Sequence, residues 1–121
     1  MPNPVVHFEI GCRDSQKTQE FFSELFDWQM QPAGPAMMIS TGPDEGIGGH
    51  ITELGHEPHN YVTVYVQVDE VQAYLDKAER LGGKTIIPPT DVPGMGQFAW
   101  FSDLDGNNVG LWKPLVQATT P

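Results

Sequence analysis

Hydrophobic and polar residues alternate with the period of a β-strand at two places in the chain. In VVHFEIG, residues 5–11, Val6, Phe8 and Ile10 fall on one face and His7, Glu9 and Gly11 on the other, the pattern of a half-buried strand. In NYVTVYVQV, residues 60–68, Val62, Val64, Val66 and Val68 alternate with Thr63, Tyr65 and Gln67. A stretch of helical period follows each strand. Phe21, Phe22, Leu25 and Phe26 recur at three- and four-residue spacing in QKTQEFFSELFDW, with Asp14 or Ser15 as N-cap. Leu75, Ala78 and Leu81 line one side of VQAYLDKAERL. Asp69 is its expected N-cap, and Gly82-Gly83 closes it, glycine accepting the left-handed conformation past a helix end.

Shorter β-like pieces follow each helix. In the first half they lie around residues 28–31, 36–40 and 46–52, separated by the turn segments PAGP and TGPDEG. In the second half they lie at residues 84–87, 97–102 and 107–112. Each half therefore reads β-α-β-β-β, an internal repeat. One domain over residues 1–121 is expected, with module one at 4–54, module two at 60–114 and a tail at 115–121. GHEPHN, residues 55–60, links the modules.

The charge balance narrows the function. Asp and Glu number 16 against 6 Lys and Arg, a net charge of −10. Phosphate backbones are held mainly by Lys and Arg, so nucleic acid is not an expected partner. Neither is an anionic membrane surface, and no apolar run approaches membrane-spanning length. MPNPVVHF lacks the basic and apolar regions of a signal peptide. Cys12 is the sole cysteine, which forbids an intrachain disulfide and makes a cytoplasmic location the expectation.

The duplicated βαβββ pattern resembles the vicinal oxygen chelate superfamily, which includes glyoxalase I, extradiol dioxygenases and bleomycin-resistance proteins. HFEIGCRDSQKTQEFFSELFDW is similar to its first strand and helix, and VDEVQAYLDKAERLGGK to its second helix. FSDLDGNNVGLWKP resembles its closing "D-P-D-G-N" hairpin, with leucine in place of the usual proline. The resemblance implies an α+β fold in which two βαβββ modules form an incomplete barrel around a concave cavity, the helices on the convex side. Val6, Phe8 and Ile10 would then pack under one helix, and Val62, Val64 and Val66 under the other. The cavity would be lined by His7, Glu9, His50, Thr63, Tyr65, Gln67, Asn108, Gly110 and Trp112, with Trp100 or Phe98 beside them.

Metal-dependent members hold one divalent ion (Zn, Ni, Fe or Mn) from up to four positions. By the resemblance these fall at His7, His50, Thr63 and Gly110. Glycine offers no side chain and threonine is a poor neutral ligand. A catalytic zinc site takes three protein ligands and a water, and facial-triad iron takes two histidines and a carboxylate. His7, His50 and Glu9 would have to converge for the second set, with His7 and Glu9 only two residues apart. A cavity without a cofactor is the favoured expectation, with a metal at His7 and His50 as the alternative.

Other candidate motifs read as structure. His56 and His59 form an H-x-x-H pair in the linker without a nearby third ligand. Asp103-Leu-Asp-Gly-Asn lacks the first ligand and the closing glutamate of a calcium loop and reads as a hairpin turn. Cys12 continues the apolar parity of its strand, as an inert thiol does. IPPTDVPGMGQF, residues 87–98, is either a rim over the cavity or a plain β-β connection.

Three functions are compatible with these residues. The first is a metal-free module of the bleomycin-resistance kind that binds a small, partly aromatic compound. The second is a lyase, isomerase or dioxygenase, metal-assisted or using His7 as general base with Glu9 orienting it. The third is an interaction protein with a filled cavity. Binding ranks first, with Thr63, Tyr65, Gln67, Trp100, Asn108 and Trp112 as ligand contacts. The resemblance also makes a homodimer the expected assembly.

Overall fold

The computed structural model describes residues 2–42, 46–53 and 60–115. Within these residues the chain forms eight strands and two helices, the α+β class expected from the sequence. The linker pair His56 and His59 lies outside the described residues. The chain divides into two compact units, one formed by residues 6–64 and one by residues 1–5 with 65–121.

In the unit of residues 6–64, β1 (Val5–Gly11) leads through α1 (Ser15–Phe26) to β2 (Gln29–Ala33), β3 (Ala36–Ser40) and β4 (Gly49–Thr52). β4 returns parallel to β1, while β2–β3 and β3–β4 are antiparallel, giving the order β2-β3-β4-β1. The second unit repeats this plan. β5 (Tyr61–Gln67), α2 (Val71–Arg80), β6 (Lys84–Val92), β7 (Gly96–Ser102) and β8 (Asn108–Pro114) follow in sequence. β8 lies parallel to β5, and the order is β5-β8-β7-β6. The repeat read from the sequence is thus a repeat of topology.

The first helix starts where Asp14 caps it, accepting a hydrogen bond from the Lys17 amide at 3.2 Å. It ends at Asp27, whose φ of 63° is the chain's only positive value outside glycine among the described residues. Its apolar face is only partly used. Phe22 stacks on Trp28 at 5.4 Å beneath the core of Ile10, Cys12, Ile39 and Ile51. Phe21, Leu25 and Phe26 remain exposed, and no residue of α1 is buried.

The second helix departs from the expected cap. Glu70, not Asp69, is the N-cap, and its side chain makes no capping bond. The Glu70 carboxylate instead accepts from Lys113 Nζ at 3.2 Å. At the other end Gly82, with φ 106°, and Gly83 close the helix by donating to the carbonyls of Glu79 and Ala78. Val71 and Leu75 pack with Val68, Ala99 and Leu111 into the core of this unit.

The expectation that Val62 and Val64 pack under this helix is corrected. Val62 is 71% exposed and Val64 is exposed, whereas Val66 packs on the core and Val68 is buried. A ten-residue helix is only about 15 Å long, and α2 lies over β6, β7, β8 and the end of β5. The start of β5 runs beyond its cover.

The segment 87–98 proves to be a β-β connection. β6 continues through Pro88 and Pro89 to Val92, and β7 resumes at Gly96. Proline is tolerated there because β6 is an edge strand with register shifts at Thr85–Ile87 and Ile87–Thr90. The Asp103 loop is a hairpin turn. The Asp103 carboxylate accepts from the amides of Asp105 and Asn107 at 2.9 Å, and Gly106 supplies φ 89°. The Asn107 side-chain amide, which also donates to this carboxylate, and then those backbone bonds hold the exposed Asp103 carboxyl below its ordinary pKa.

Candidate functional site

The period-two pleat of β1 sends Phe8 and Ile10 into the α1 core and His7 and Glu9 to the opposite face. Parallel pairing with β4 then sets Glu9 directly beside His50. The two residues lie 41 positions apart in the chain. Gly49, the neighbour of His50, allows this closeness, because a Cβ there would stand 2.5 Å from the Phe8 carbonyl oxygen.

The side chains form a continuous polar chain. Tyr61 O–H donates to Glu9 Oε2 in a short hydrogen bond. Glu9 Oε1 lies 3.5 Å from His50 Nε2, and His50 Nδ1 lies 2.7 Å from His7 Nε2. The two imidazoles are tilted by 30° with centroids 5.0 Å apart. Glu9 is 6% exposed, while His7 and His50 are half-buried.

The network assigns the tautomers. His50 Nε2 faces a carboxylate oxygen, so it carries the hydrogen and Nδ1 accepts. His7 Nε2 then donates to it. Burial pushes the His7 pKa down to about 4, with the His50 ring adding to the fall and Glu9 opposing it. Burial lowers His50 as well, again against Glu9. Burial, then the bond to Glu9, raises Tyr61, which keeps it a neutral donor.

Of the four expected metal positions, His7 and His50 are the two that carry ligand nitrogens. Two nitrogens bound to one zinc at 2.0–2.1 Å in a tetrahedron stand about 3.3 Å apart. The facing His7 and His50 nitrogens stand 2.7 Å apart, within hydrogen-bond distance. Among the described residues, no three His, Cys, Asp or Glu side chains are grouped to hold a metal ion. Thr63, at another expected ligand position, is buried. Cys12 is buried too, and burial raises its thiol pKa.

The remaining candidate residues occupy the face of the second unit turned away from α2. Tyr65 and Trp100 are buried, and Trp100 Nε1–H donates to the Tyr65 hydroxyl at 2.8 Å. Gly110 sits opposite Tyr65 in the β5–β8 ladder, and Gln67 sits opposite the half-buried Trp112. Asn108 is exposed at the start of β8. On the α2 side, Val66, Val68, Leu81, Phe101, Leu104 and Leu111 line a shallow apolar groove. Tyr61 is the member of the polar chain that sequence reasoning missed. Its signal was parity, since Tyr61, Thr63 and Tyr65 share one face of β5.

Two βαβββ units, each with a helix on one sheet face and polar or aromatic side chains on the other, define the vicinal oxygen chelate fold. The chain belongs to the Glyoxalase/Bleomycin resistance protein/Dioxygenase superfamily, whose family model matches residues 5–111. It is 30% identical to a glyoxylase-like domain-containing protein of Didymella fabae, covering 82% of this chain and 84% of that one. It is 26% identical to the anthracycline biosynthesis protein DnrV of Streptomyces peucetius over 93% of its own length. It spans only 47% of DnrV, about half of that relative. Among solved structures, methylmalonyl-CoA epimerase from Mycobacterium tuberculosis superposes with a TM-score of 0.66 at 10% identity. That alignment covers 93% of this chain and 88% of the epimerase, and at such identity it speaks for the fold alone. No helix among the described residues is long and apolar enough to cross a membrane.

Proposed function

We propose that the protein binds a small, partly aromatic molecule in the manner of the bleomycin-resistance proteins, without a resident metal. The observation that carries this reading is the His7–His50 hydrogen bond. It supports the reading by setting the two ring nitrogens that would hold a metal against each other, and His7 would act as a polar anchor for a ligand. The low pKa of His7, about 4, favours binding over catalysis. A general base works best with a pKa near the operating pH. The relationship to DnrV makes polycyclic aromatic compounds the first ligands to try.

The test is quenching of tryptophan fluorescence by an anthracycline and by bleomycin, with and without EDTA. Saturable binding that EDTA leaves unchanged and His7→Ala weakens at least tenfold supports the reading. Binding that vanishes with EDTA refutes it. A second reading, a lyase or isomerase with His7 as acid–base group, draws on the Glu9–His50–His7 chain, which would stabilise a proton taken up at His7. It predicts turnover that His7→Gln abolishes. We also propose that the protein is a homodimer and cytoplasmic, the exposed Phe21, Leu25 and Phe26 of α1 supporting self-association. Sedimentation of wild type against Phe21→Gln/Leu25→Gln checks the assembly.

A further inference from the structure

We infer that Tyr65 decides that the last strand of the second unit presents no ligand side chain, because its ring fills the volume that a side chain at position 110 needs. Gly110 lies inside β8, opposite Tyr65 on β5 and opposite Trp100 on β7. Its backbone is outside the positive-φ region, so its conformation does not demand glycine. Space does. A Cβ on residue 110 would stand 2.4 Å from both Cδ1 and Cε1 of Tyr65 and 3.0 Å from Cγ. Carbon atoms in ordinary contact stay about 3.5–4.0 Å apart.

The ring cannot simply swing aside. Tyr65 is 7% exposed, and its hydroxyl accepts the indole N–H of Trp100 at 2.8 Å. Trp100 is itself 1% exposed, with little room to follow. Phe98 meets the Tyr65 ring edge-on at 6.4 Å. The phenol is thus held at its far end while its near edge covers Gly110. By the resemblance to metal-dependent relatives, position 110 is one of the four ligand positions. Here glycine stands at that position and an aromatic pair fills the space beside it. A change of residue 110 alone will therefore not restore a ligand. This holds whether or not a small molecule binds at His7.

The experiment is a thermal double-mutant cycle on the full chain with Gly110→Ala and Tyr65→Ala, the pair being in direct contact. Gly110→Ala in the wild-type background lowers Tm by about 5 °C or more, an overpacked core being the cause. In the Tyr65→Ala background the same change is neutral or raises Tm. Equal losses in both backgrounds overturn the inference. Should Tyr65→Ala fail to fold, Trp100→Phe provides the second arm. It removes the indole N–H that fixes the ring and opens space beside it, so the Gly110→Ala loss shrinks, and an undiminished loss overturns the inference. Calorimetric titration of Ni²⁺ into wild type and Gly110→Glu completes the test. No gain in affinity is expected from Gly110→Glu, and any gain overturns the idea.

Discussion

Lowering the pH from 7.5 to 5.0 strips stability from this protein through His7, in a direction fixed by the site. The folded pKa of His7 lies at about 4 and the ordinary value is 6.5. Above pH 6.5 the ring is neutral in both states and has no effect. Between 6.5 and 4 the unfolded chain takes up a proton that the folded chain refuses, so stability falls as the pH falls. Linkage with these two values gives a loss of about 2 kcal/mol between pH 7.5 and 5.0. His7 is only half-buried, so solvent screening reduces this to about 1 kcal/mol. The comparison is with His7→Gln, which keeps a planar amide able to donate to His50 but takes up no proton. Equilibrium urea unfolding at both pH values, followed by fluorescence, measures the two losses. All other titrating groups act in both proteins. The wild type should therefore lose about 1 kcal/mol more than the variant. An equal loss, or a larger one in His7→Gln, would refute the assigned burial of a neutral His7.

Other substitutions read the same structure. Glu9→Gln removes the carboxylate that accepts from Tyr61 O–H and stands 3.5 Å from His50 Nε2. It should cost about 1–2 kcal/mol as charge-assisted bonds become neutral ones. If Tyr61 keeps the oxygen, His50 should shift its hydrogen from Nε2 to Nδ1, which ¹⁵N NMR of the rings detects. Leu75→Ala empties a site 1% exposed in the α2 core and should cost about 2–5 kcal/mol in urea unfolding. Gly82→Ala must hold φ at 106° and meet Leu104 Cδ2 at 2.6 Å. It should lower stability by about 1 kcal/mol or more, where a permissive glycine site would gain from alanine.

The architecture was legible because local rules agreed with one another. Alternation marked β1 and β5, and a cap and a glycine pair bounded the helices. The repeated order of elements then left one topology for each half. Legibility failed where a second element decides the outcome. Val62 and Val66 look alike in sequence, yet Val66 packs half-buried against the core under α2 while Val62 is exposed. Pro88 and Pro89 argue against a strand until β6 is seen to be an edge. The apolar face of α1 predicts burial that its own unit does not deliver, since only Phe22 finds the core.

The site shows the same division more sharply. Parity alone put His7 and Glu9 on the polar face of β1. No spacing rule could show that β4 returns parallel and in a register that sets His50 against Glu9. The roles within the cluster also depend on that register. A general base at His7 oriented by Glu9 was the sequence expectation, and the structure adds His50, which stands 3.5 Å from Glu9 and 2.7 Å from His7. Position 110 depends on its neighbours most of all. A glycine in sequence reads as a missing ligand, an absence that one mutation could reverse. In the structure it is the complement of a tyrosine 45 residues earlier, fixed by a tryptophan ten residues before it. Where a side chain is missing from a strand that needs no glycine, the cause lies in whatever occupies its place. A substitution that restores the ligand without removing the occupant should register first as a loss of stability.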